Sequence, residues 1–430
     1  MSIAKADPAQ PVWKFTQSMG VNTHIDSQTP YYSVPTIRED LIYLGMSLIR
    51  DSVEIANRNV QRFDQIMSIP HMRVAAGMPY RVTDIQVELI APLKAFLRHW
   101  PGRILAYEGP NEPNVFGFEY RPRTDAGSEH LGRIGRCDQK TTYVPCAYAV
   151  KDAYAAFKSD PVLKTLIFST LTDAGAEPDN AGVQCMVIGR SDCAGGALLP
   201  DGTQFADAIT VHPYMTHYWE WPWAQSDSSG ASRNELTANN HRTWLKGFHG
   251  YPSDLLAGLP RRATETGTDS RAGNDKMGRQ ALDLFADFFK NGWMDVEWYQ
   301  LYDQKPCSEF RDDQCNDGLF TSPGRPKVAA TYLHNQSVIL ADVPKSFTPG
   351  VLGNSLAGGD RDTHDMLLQK SDGSYWWAIW GAGDGHSVDV TARFGENASD
   401  IRVYDPTVGT RPVSTPPDGF SISLKITDHP

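Results

Sequence analysis

Short apolar segments rich in β-branched residues alternate with stretches of helical periodicity from about residue 19 to residue 340. This alternation predicts parallel strands joined by helical crossovers. Eight such units favour a (β/α)8 TIM barrel over the alternative, a doubly wound open sheet. The predicted strands cover residues 19–24, 48–51, 72–76, 104–108, 166–171, 209–212, 262–265 and 296–302.

Helical periodicity lies between these segments. The predicted helices cover residues 37–44, 84–99, 141–158, 238–257, 275–290 and 326–340. The weakest unit is the fifth, because residues 176–201 are rich in glycine and contain two cysteines. A barrel needs roughly 250 residues, so a chain of 430 residues has room for a further module.

The pattern changes after residue 340, where proline and glycine separate short runs of alternating polarity. These runs predict a small antiparallel β-sandwich. We therefore expect a barrel at residues 1–341 and a sandwich at residues 342–430. The runs lie at residues 366–370, 375–380, 387–390, 401–404 and 420–424.

The formal net charge is −11, which argues against nucleic acid as a partner and favours a neutral or cationic ligand. No apolar run approaches the ~18 residues of a membrane helix. The sequence also lacks the HExxH and CxxC motifs and an acidic metal-binding loop. We expect no cofactor, no metal and no membrane partner, and a monomer.

Six cysteines form three close pairs in polar segments. Local pairing predicts three disulfides and an oxidising compartment, and the alternative is six free thiols. Residues 1–10 lack the apolar core of a secretion signal, so we expect a secreted or periplasmic protein whose signal has been removed. The predicted pairs are Cys137 with Cys146, Cys185 with Cys193, and Cys307 with Cys315.

Two glutamates follow predicted strands at loops containing glycine or proline. Glu112 follows the fourth strand and Glu265 ends the seventh. Active sites of such barrels lie at the carboxyl ends of the strands, and paired carboxylates are what hydrolysis of a glycosidic bond requires. Alternatively, Glu112 is a loop carboxylate held by Pro113, and Glu265 lies beside a helix N-terminus.

These segments resemble clan A glycoside hydrolases. The Asn-Glu-Pro at residues 111–113 matches the clan's signature after strand four, and the glutamate of Thr-Glu-Thr-Gly at residues 264–267 matches the one that ends strand seven. The His-Pro-Tyr at residues 212–214 is similar to a motif after strand six. The resemblance spans the barrel, and the added sandwich is similar to family 39 and its relatives in families 5 and 30.

The resemblance implies a retaining, double-displacement mechanism with Glu112 as general acid/base and Glu265 as nucleophile. Such carboxyl groups are about 5 to 5.5 Å apart. It also implies that Arg50 is the cation beside Glu265, that Tyr214 donates its hydroxyl to the same carboxylate, and that Asn111 contacts the sugar 2-hydroxyl. The acid requires a raised pKa, which burial beside a second carboxylate provides.

Several polar candidates have a structural alternative. Arg50 forms an ion pair with Asp51 or Glu54 in the alternative interpretation, and His212 is a buried histidine that orients a loop. His24 is a further supporting candidate at the end of the first strand. Glu108 is expected to support the site, although strand alternation leaves its direction open.

Aromatic residues near strand ends are candidates for stacking on sugar rings. Trp219 belongs to a dense aromatic segment, residues 214–223, which forms either a wall of subsites or a hydrophobic plug. Trp298 either floors the site, as in clan members, or fills the barrel interior. Tyr302 lies at the end of the eighth predicted strand.

The sequence thus predicts a retaining glycoside hydrolase that cleaves β-type bonds in a polysaccharide or oligosaccharide. The alternatives are a noncatalytic carbohydrate-binding barrel and a transglycosylase that uses the same glutamates. In this prediction the barrel at residues 1–341 is the catalytic domain, and the sandwich at residues 342–430 either binds carbohydrate or only packs against the barrel. Four arginines in the long loop at residues 115–140 favour acidic sugars despite the net charge. They are Arg121, Arg123, Arg133 and Arg136.

Overall fold

The computed structural model describes most of the chain. The described residues are 8–25, 30–53, 60–121, 135–137, 142–172, 199, 202–212, 258–270, 273–304, 316–360, 363–381, 387–428 and 430. The predicted helix at residues 238–257 lies outside them.

Eight parallel strands form one sheet in the order β6-β7-β8-β1-β2-β3-β4-β5. An isolated parallel bridge between Ser169 and Ala208 joins the β5 edge to the start of β6, so the sheet is nearly closed, as in a TIM barrel. All eight predicted strands are present, with shifts of up to four residues at their ends. The strands are β1 Met19–Asn22, β2 Leu48–Asp51, β3 Arg73–Gly77, β4 Ile104–Glu108, β5 Ile167–Ser169, β6 Ile209–Val211, β7 Arg261–Thr266 and β8 Asp295–Trp298.

Helices connect the strands and pack outside the sheet. Residues Gln86–Ile90 form a π-helical turn that leads into α4, where the sequence predicts one continuous helix. Among the described residues, no helix has the length and apolar character to cross a membrane. The helices are α1 Val12–Ser18, α2 Val34–Leu44, α3 Val60–Met67, α4 Ala91–His99, α5 Pro113–Phe116, α6 Val144–Ser159, α7 Asn274–Lys290 and α8 Val328–Ile339.

A buried ion-pair network fills part of the barrel interior. The guanidinium of Arg262 on β7 contacts Asp295 at 2.6 Å and Glu297 at 3.3 Å, both on β8, and donates to the Ser169 hydroxyl at 3.1 Å. All four side chains are buried. Because a buried charge is tolerated only when it is paired and hydrogen-bonded, the network ties β5, β7 and β8 in one arrangement.

The C-terminal region forms two small antiparallel sheets. One contains β10 and β11, to which residues Gln10–Pro11 add a short parallel strand, and the other has the order β9-β12-β13. Residues 401–404 were expected to form a strand, but they contribute a single bridge from Val403 to Ser414. The strands are β9 Ser355–Gly358, β10 Thr363–Gln369, β11 Tyr375–Gly381, β12 Val388–Ala398 and β13 Gly419–Ile426.

Helix α7 carries a buried polar cluster against this region. His364 of β10 hydrogen-bonds Asp287 of α7 at 2.9 Å, and Arg279 pairs with Asp428 at 2.8 Å. Asp283 lies between them on α7, and neither carboxylate oxygen has a hydrogen-bond partner among the described residues. Burial raises the pKa of Asp283 well above its usual range, and the charges of Asp287 and Asp428 act in the same direction.

Candidate active site

Arg50 lies at the centre of the site and joins four side chains. It extends from β2, and its Nη1 atom donates to Glu265 Oε1 at 2.5 Å and to Asn22 Oδ1 at 2.9 Å. Its Nη2 atom donates to Asn111 Oδ1 at 2.6 Å and to Glu108 Oε1 at 3.0 Å. The planar guanidinium holds these groups in fixed directions, which a single ammonium group does not do.

Glu108 is the second carboxylate that Arg50 contacts. Arg50 Nε donates to Glu108 Oε2 at 3.1 Å, so the pairing is bidentate, and the Thr172 hydroxyl donates to Oε1 at 2.8 Å. Burial by itself would raise the pKa of Glu108, but the charges of Arg50 and His212 lower it well below its usual range. Glu108 is therefore an ionised anchor for Arg50.

Glu112 sits at the start of the short helix α5 in a left-handed conformation, with φ 43° and ψ 53°. This backbone conformation costs about 1–3 kcal/mol for a residue with a side chain and is concentrated at functional sites. The Glu112 N–H donates to the Thr172 carbonyl at 2.7 Å, which fixes the turn. The carboxylate is largely buried, and its Oε1 atom lies 2.7 Å from His212 Nδ1.

Glu265 lies near the end of β7, within the strand rather than at a helix N-terminus. One of its carboxylate oxygens, one of Glu112 and a His212 nitrogen all lie within 4.8 Å of one another. Burial raises the pKa of Glu265, the charge of Glu112 acts in the same direction, and His212 and Arg50 oppose them. The two glutamates thus face each other across a short gap with cations on one side.

His212 follows β6 and is fully buried beside three carboxylates. Besides Glu112, its Nδ1 atom lies 3.5 Å from Glu265 Oε2, and its Nε2 atom lies 3.8 Å from Glu108 Oε1. Burial alone would lower the pKa of His212, but the charge of Glu265, the hydrogen bond with Glu112 and the nearby carboxylate of Glu108 raise it to about 9. The ring is therefore cationic at neutral pH.

Glu112, His212 and Glu265 are close enough together to act as ligands for a metal ion. Metal binding would require a neutral imidazole, whereas these carboxylates hold His212 in its protonated form. The Arg50 guanidinium at 2.5 Å from Glu265 adds a second positive charge. Both positive charges repel a metal cation, so the electrostatics of the site disfavour one at these three residues.

Aromatic residues border the glutamates. Trp298, predicted as a site residue, is completely buried, and its indole N–H donates to the Asp317 carbonyl at 3.0 Å. The next residue, Tyr299, is only partly buried. Burial raises the pKa of its hydroxyl above the usual range, and the charges of Glu265 and Glu112 act in the same direction. Tyr80 is 56% exposed, and its hydroxyl accepts a hydrogen bond from Asn111 at 3.4 Å.

Tyr299 and Tyr80 were not predicted from the sequence. The alternation of side chains along a strand could have identified Tyr299, because consecutive strand residues point to opposite faces and Trp298 is on the buried face. No comparable signal existed for Tyr80, which follows β3 in a loop.

The remaining candidates lie further from the carboxylates or outside the described residues. The Tyr302 hydroxyl donates to Asp40 at 2.6 Å, and its ring packs on Tyr31 rather than at the glutamates. His24 is half-buried with its ring 6.0 Å from that of Tyr299. Tyr214 and Trp219 lie outside the described residues.

Asp51 and Glu54 were the alternative partners of Arg50. The Asp51 carboxylate instead accepts hydrogen bonds from the Thr23 hydroxyl at 2.6 Å and from the Ile25 N–H at 2.8 Å. Glu54 lies outside the described residues. The observed ion-pair partners of Arg50 are thus Glu108 of β4 and Glu265 of β7.

The predicted disulfide between Cys137 and Cys146 is confirmed, with a Cα–Cα distance of 5.8 Å. It links a short strand, Gly135–Cys137, to the first turn of α6. The other four cysteines, Cys185, Cys193, Cys307 and Cys315, lie outside the described residues.

No protein-family model matches the chain, and no curated protein matches it. Among solved structures, a family 39 glycoside hydrolase from the gut symbiont Bacteroides cellulosilyticus WH2 aligns with a TM-score of 0.60 at 15% identity, over 98% of this chain and 80% of that chain. A monomeric β-xylosidase from Caulobacter crescentus CB15 gives a TM-score of 0.48 at 16% identity, over 95% and 78%. A β-1,3-glucanosyltransferase from Rhizomucor miehei gives 0.40 at 13%, over 71% and 93%.

The first of these alignments shows that the chain has a fold similar to that of a family 39 enzyme. The predicted resemblance is confirmed at the level of the fold. Because identities near 15% do not carry an activity from one protein to another, the function is argued from the site itself.

Proposed function

We propose that this protein is a retaining glycoside hydrolase that cleaves β-type bonds in a polysaccharide or oligosaccharide. The observation that carries the proposal is the pair of buried carboxylates, Glu112 and Glu265, with oxygens within 4.8 Å of each other. A separation of about 5 to 5.5 Å between carboxyl groups suits direct attack on the sugar, whereas inverting enzymes keep about 6.5–9.5 Å for a water molecule.

In the first step, a Glu265 oxygen attacks the anomeric carbon, and the bond from that carbon to the leaving oxygen breaks. Glu112 transfers its proton to the leaving oxygen, which departs as an alcohol. Arg50, at 2.5 Å from Glu265 Oε1, favours the ionised form that attack requires. The product is a glycosyl ester of Glu265.

In the second step, the ionised Glu112 takes a proton from water as the water oxygen attacks the anomeric carbon. The ester bond breaks, and Glu265 leaves as a carboxylate. His212 lies between the two carboxylates, at 2.7 Å from Glu112 and 3.5 Å from Glu265, so its charge stabilises whichever is ionised. Asn111, held by Arg50, is the residue we assign to the sugar 2-hydroxyl.

We assign Tyr299, rather than Trp298, as the aromatic residue that forms the floor of the sugar-binding site. Tyr299 retains exposed surface beside the carboxylates. Its ring offers a face for the C–H groups of a sugar. Trp298 instead packs its ring close to Gly267, directly after β7.

We also propose that the C-terminal sheets pack as a sandwich at residues 342–430, beside a catalytic barrel at residues 1–341. Ile379 of β11 packs with Val390 and Ala392 of β12 and with Ile426 of β13. The Cys137–Cys146 disulfide supports an oxidising compartment.

The proposal is tested by digestion of a panel of plant, fungal and bacterial glycans with product masses as the readout. Ladders of oligosaccharides indicate endo action, and monosaccharide alone indicates exo action. Glu112→Gln and Glu265→Gln are isosteric controls that should remove turnover while the fold is kept. Tight binding of a glycan by the wild-type protein without cleavage would contradict the proposal.

A further inference from the structure

Three short strands form a small sheet beside the candidate site, here called the rim sheet. They are Arg81–Val82, Phe118–Tyr120 and Gly135–Cys137, and the central strand pairs with the other two. The first strand begins directly after Tyr80, and the second begins two residues after Phe116, at the end of α5. The chain therefore places the rim sheet next to Asn111 and Glu112.

The two faces of the rim sheet differ sharply in chemistry. Val82, Phe118, Tyr120 and Cys137 are buried, as strand alternation requires for one face. On the other face, Glu119 pairs in register with Arg81 on one side and with Arg136 on the other.

Among the described residues, the outer face carries more arginines than carboxylates. Arg81, Arg121 and Arg136 are all exposed, and Glu119 is the carboxylate that the described part of this face presents to them. Glu119 is shared by Arg81 at 3.5 Å and Arg121 at 2.5 Å. In a chain with net charge −11, this row of arginines is a local basic surface.

Arginine and aromatic groups meet where the rim sheet adjoins the site. Arg136 Nη2 donates to the Phe116 carbonyl at 3.0 Å, and its guanidinium lies against Gly117, which has a φ of 69° and no side chain to displace it. The exposed rings of Phe116 and Tyr80 contact each other edge to face, with centroids 5.9 Å apart. This pair continues to the site, because Tyr80 contacts Asn111.

The rim sheet is held firmly. The Cys137–Cys146 disulfide ties its third strand to α6, and the Tyr120 hydroxyl donates to Asp152 of α6 at 2.9 Å. The arginines are thus displayed from a fixed backbone, which lowers the entropic cost of binding.

We propose that the rim sheet binds an anionic group on the carbohydrate substrate, so that the protein acts on acidic glycans. Guanidinium groups match the paired oxygens of a carboxylate or sulfate, and the Tyr80–Phe116 pair provides an apolar surface for the ring that carries it. This inference rests on the proposed function and adds the class of substrate to it.

The test measures binding separately from turnover. Titration calorimetry with the Glu265→Gln protein compares three oligosaccharides: one with uronic acid residues, its carboxyl-reduced neutral analogue, and a sulfated one. The Arg81→Gln/Arg121→Gln double variant in that background is the perturbation. Arg411→Gln, which removes an exposed arginine of the C-terminal region, is the matched control.

We expect the anionic oligosaccharide to bind more tightly than its neutral analogue. The double variant should weaken only the anionic ligand, by about 3- to 25-fold, since one exposed charge pair contributes up to about fivefold. Added salt should weaken the same ligand, and Arg411→Gln should change neither. The uronic and sulfated arms identify which anion is preferred.

Equal affinities for the acidic glycan and its neutral analogue would overturn the inference, as would an unchanged affinity in the double variant. Arginine-dependent binding without turnover by the wild-type protein would refute the proposed hydrolase and leave the anionic site standing. Turnover of neutral glycans alone would support the proposed hydrolase and refute the anionic site.

Discussion

Replacement of Arg50 by lysine separates charge from geometry at the site. The guanidinium makes five hydrogen bonds, to Glu108 twice and once each to Asn22, Asn111 and Glu265. Lysine keeps the positive charge but offers at most three donors from a single atom. It does not bridge Glu108 and Glu265 in one arrangement.

At least two charge-assisted hydrogen bonds are therefore lost in Arg50→Lys. At about 1.5–3 kcal/mol each, the loss is about 3–6 kcal/mol. If most of this free energy is transition-state stabilisation that depends on the alignment of Glu265, kcat/KM should drop about 100- to 10,000-fold.

The assay is kcat/KM on the substrate found in the glycan panel, with the melting temperature measured in parallel to exclude unfolding. Arg402→Lys is the control, because Arg402 forms a comparable bidentate pair with Asp400 at the exposed surface, and it should be near wild type. A folded Arg50→Lys enzyme within a few-fold of wild-type kcat/KM would refute the argument that geometry matters here.

Three further predictions concern stability. Since the pKa of His212 is raised to about 9, stability should fall as pH rises from about 6.5 through 9, and His212→Asn should lose this dependence in thermal melts across pH. Asp283 is a buried acid whose pKa is raised in the folded protein, so the free energy of unfolding should fall as pH rises above about 4. Asp283→Asn should therefore be more stable than wild type at pH 8 by about 1–3 kcal/mol. Equal stability of the two proteins in urea titrations would contradict this. Cys137→Ala/Cys146→Ala should cost about 2–3 kcal/mol of stability, because the disulfide closes a short loop, and an unchanged melting temperature would show that it contributes nothing.

The barrel could be predicted from the sequence because its strands follow from local runs of apolar residues. Strands β2 and β4 begin and end where the apolar runs predict. Strand β8 ends at Trp298, four residues early, and the Gln300 N–H beyond it donates to the Asp317 carbonyl of a loop rather than to a neighbouring strand. Such competition among tertiary partners leaves no mark in the local pattern.

Only part of the candidate site could be predicted from the sequence. The motifs and the family resemblance predicted that Glu112, Glu265 and Arg50 belong to one site, and the structure brings the three side chains together. The bidentate pairing of Arg50 with Glu108 was not foreseen, because it depends on the strand parity of Glu108, which the sequence left open. The pairing of residues Gln10–Pro11 with the C-terminal sheet was likewise missed, since two residues carry no periodicity.

The central claim is that Glu265 is the nucleophile of a covalent, retaining mechanism. The direct measurement is peptide mass spectrometry after inactivation with a 2-deoxy-2-fluoro glycoside of the sugar that the panel identifies. The account predicts one added glycosyl mass, on Glu265, and none in Glu265→Gln. A label on Glu112 or another residue, or turnover with inversion and no label at all, would contradict it.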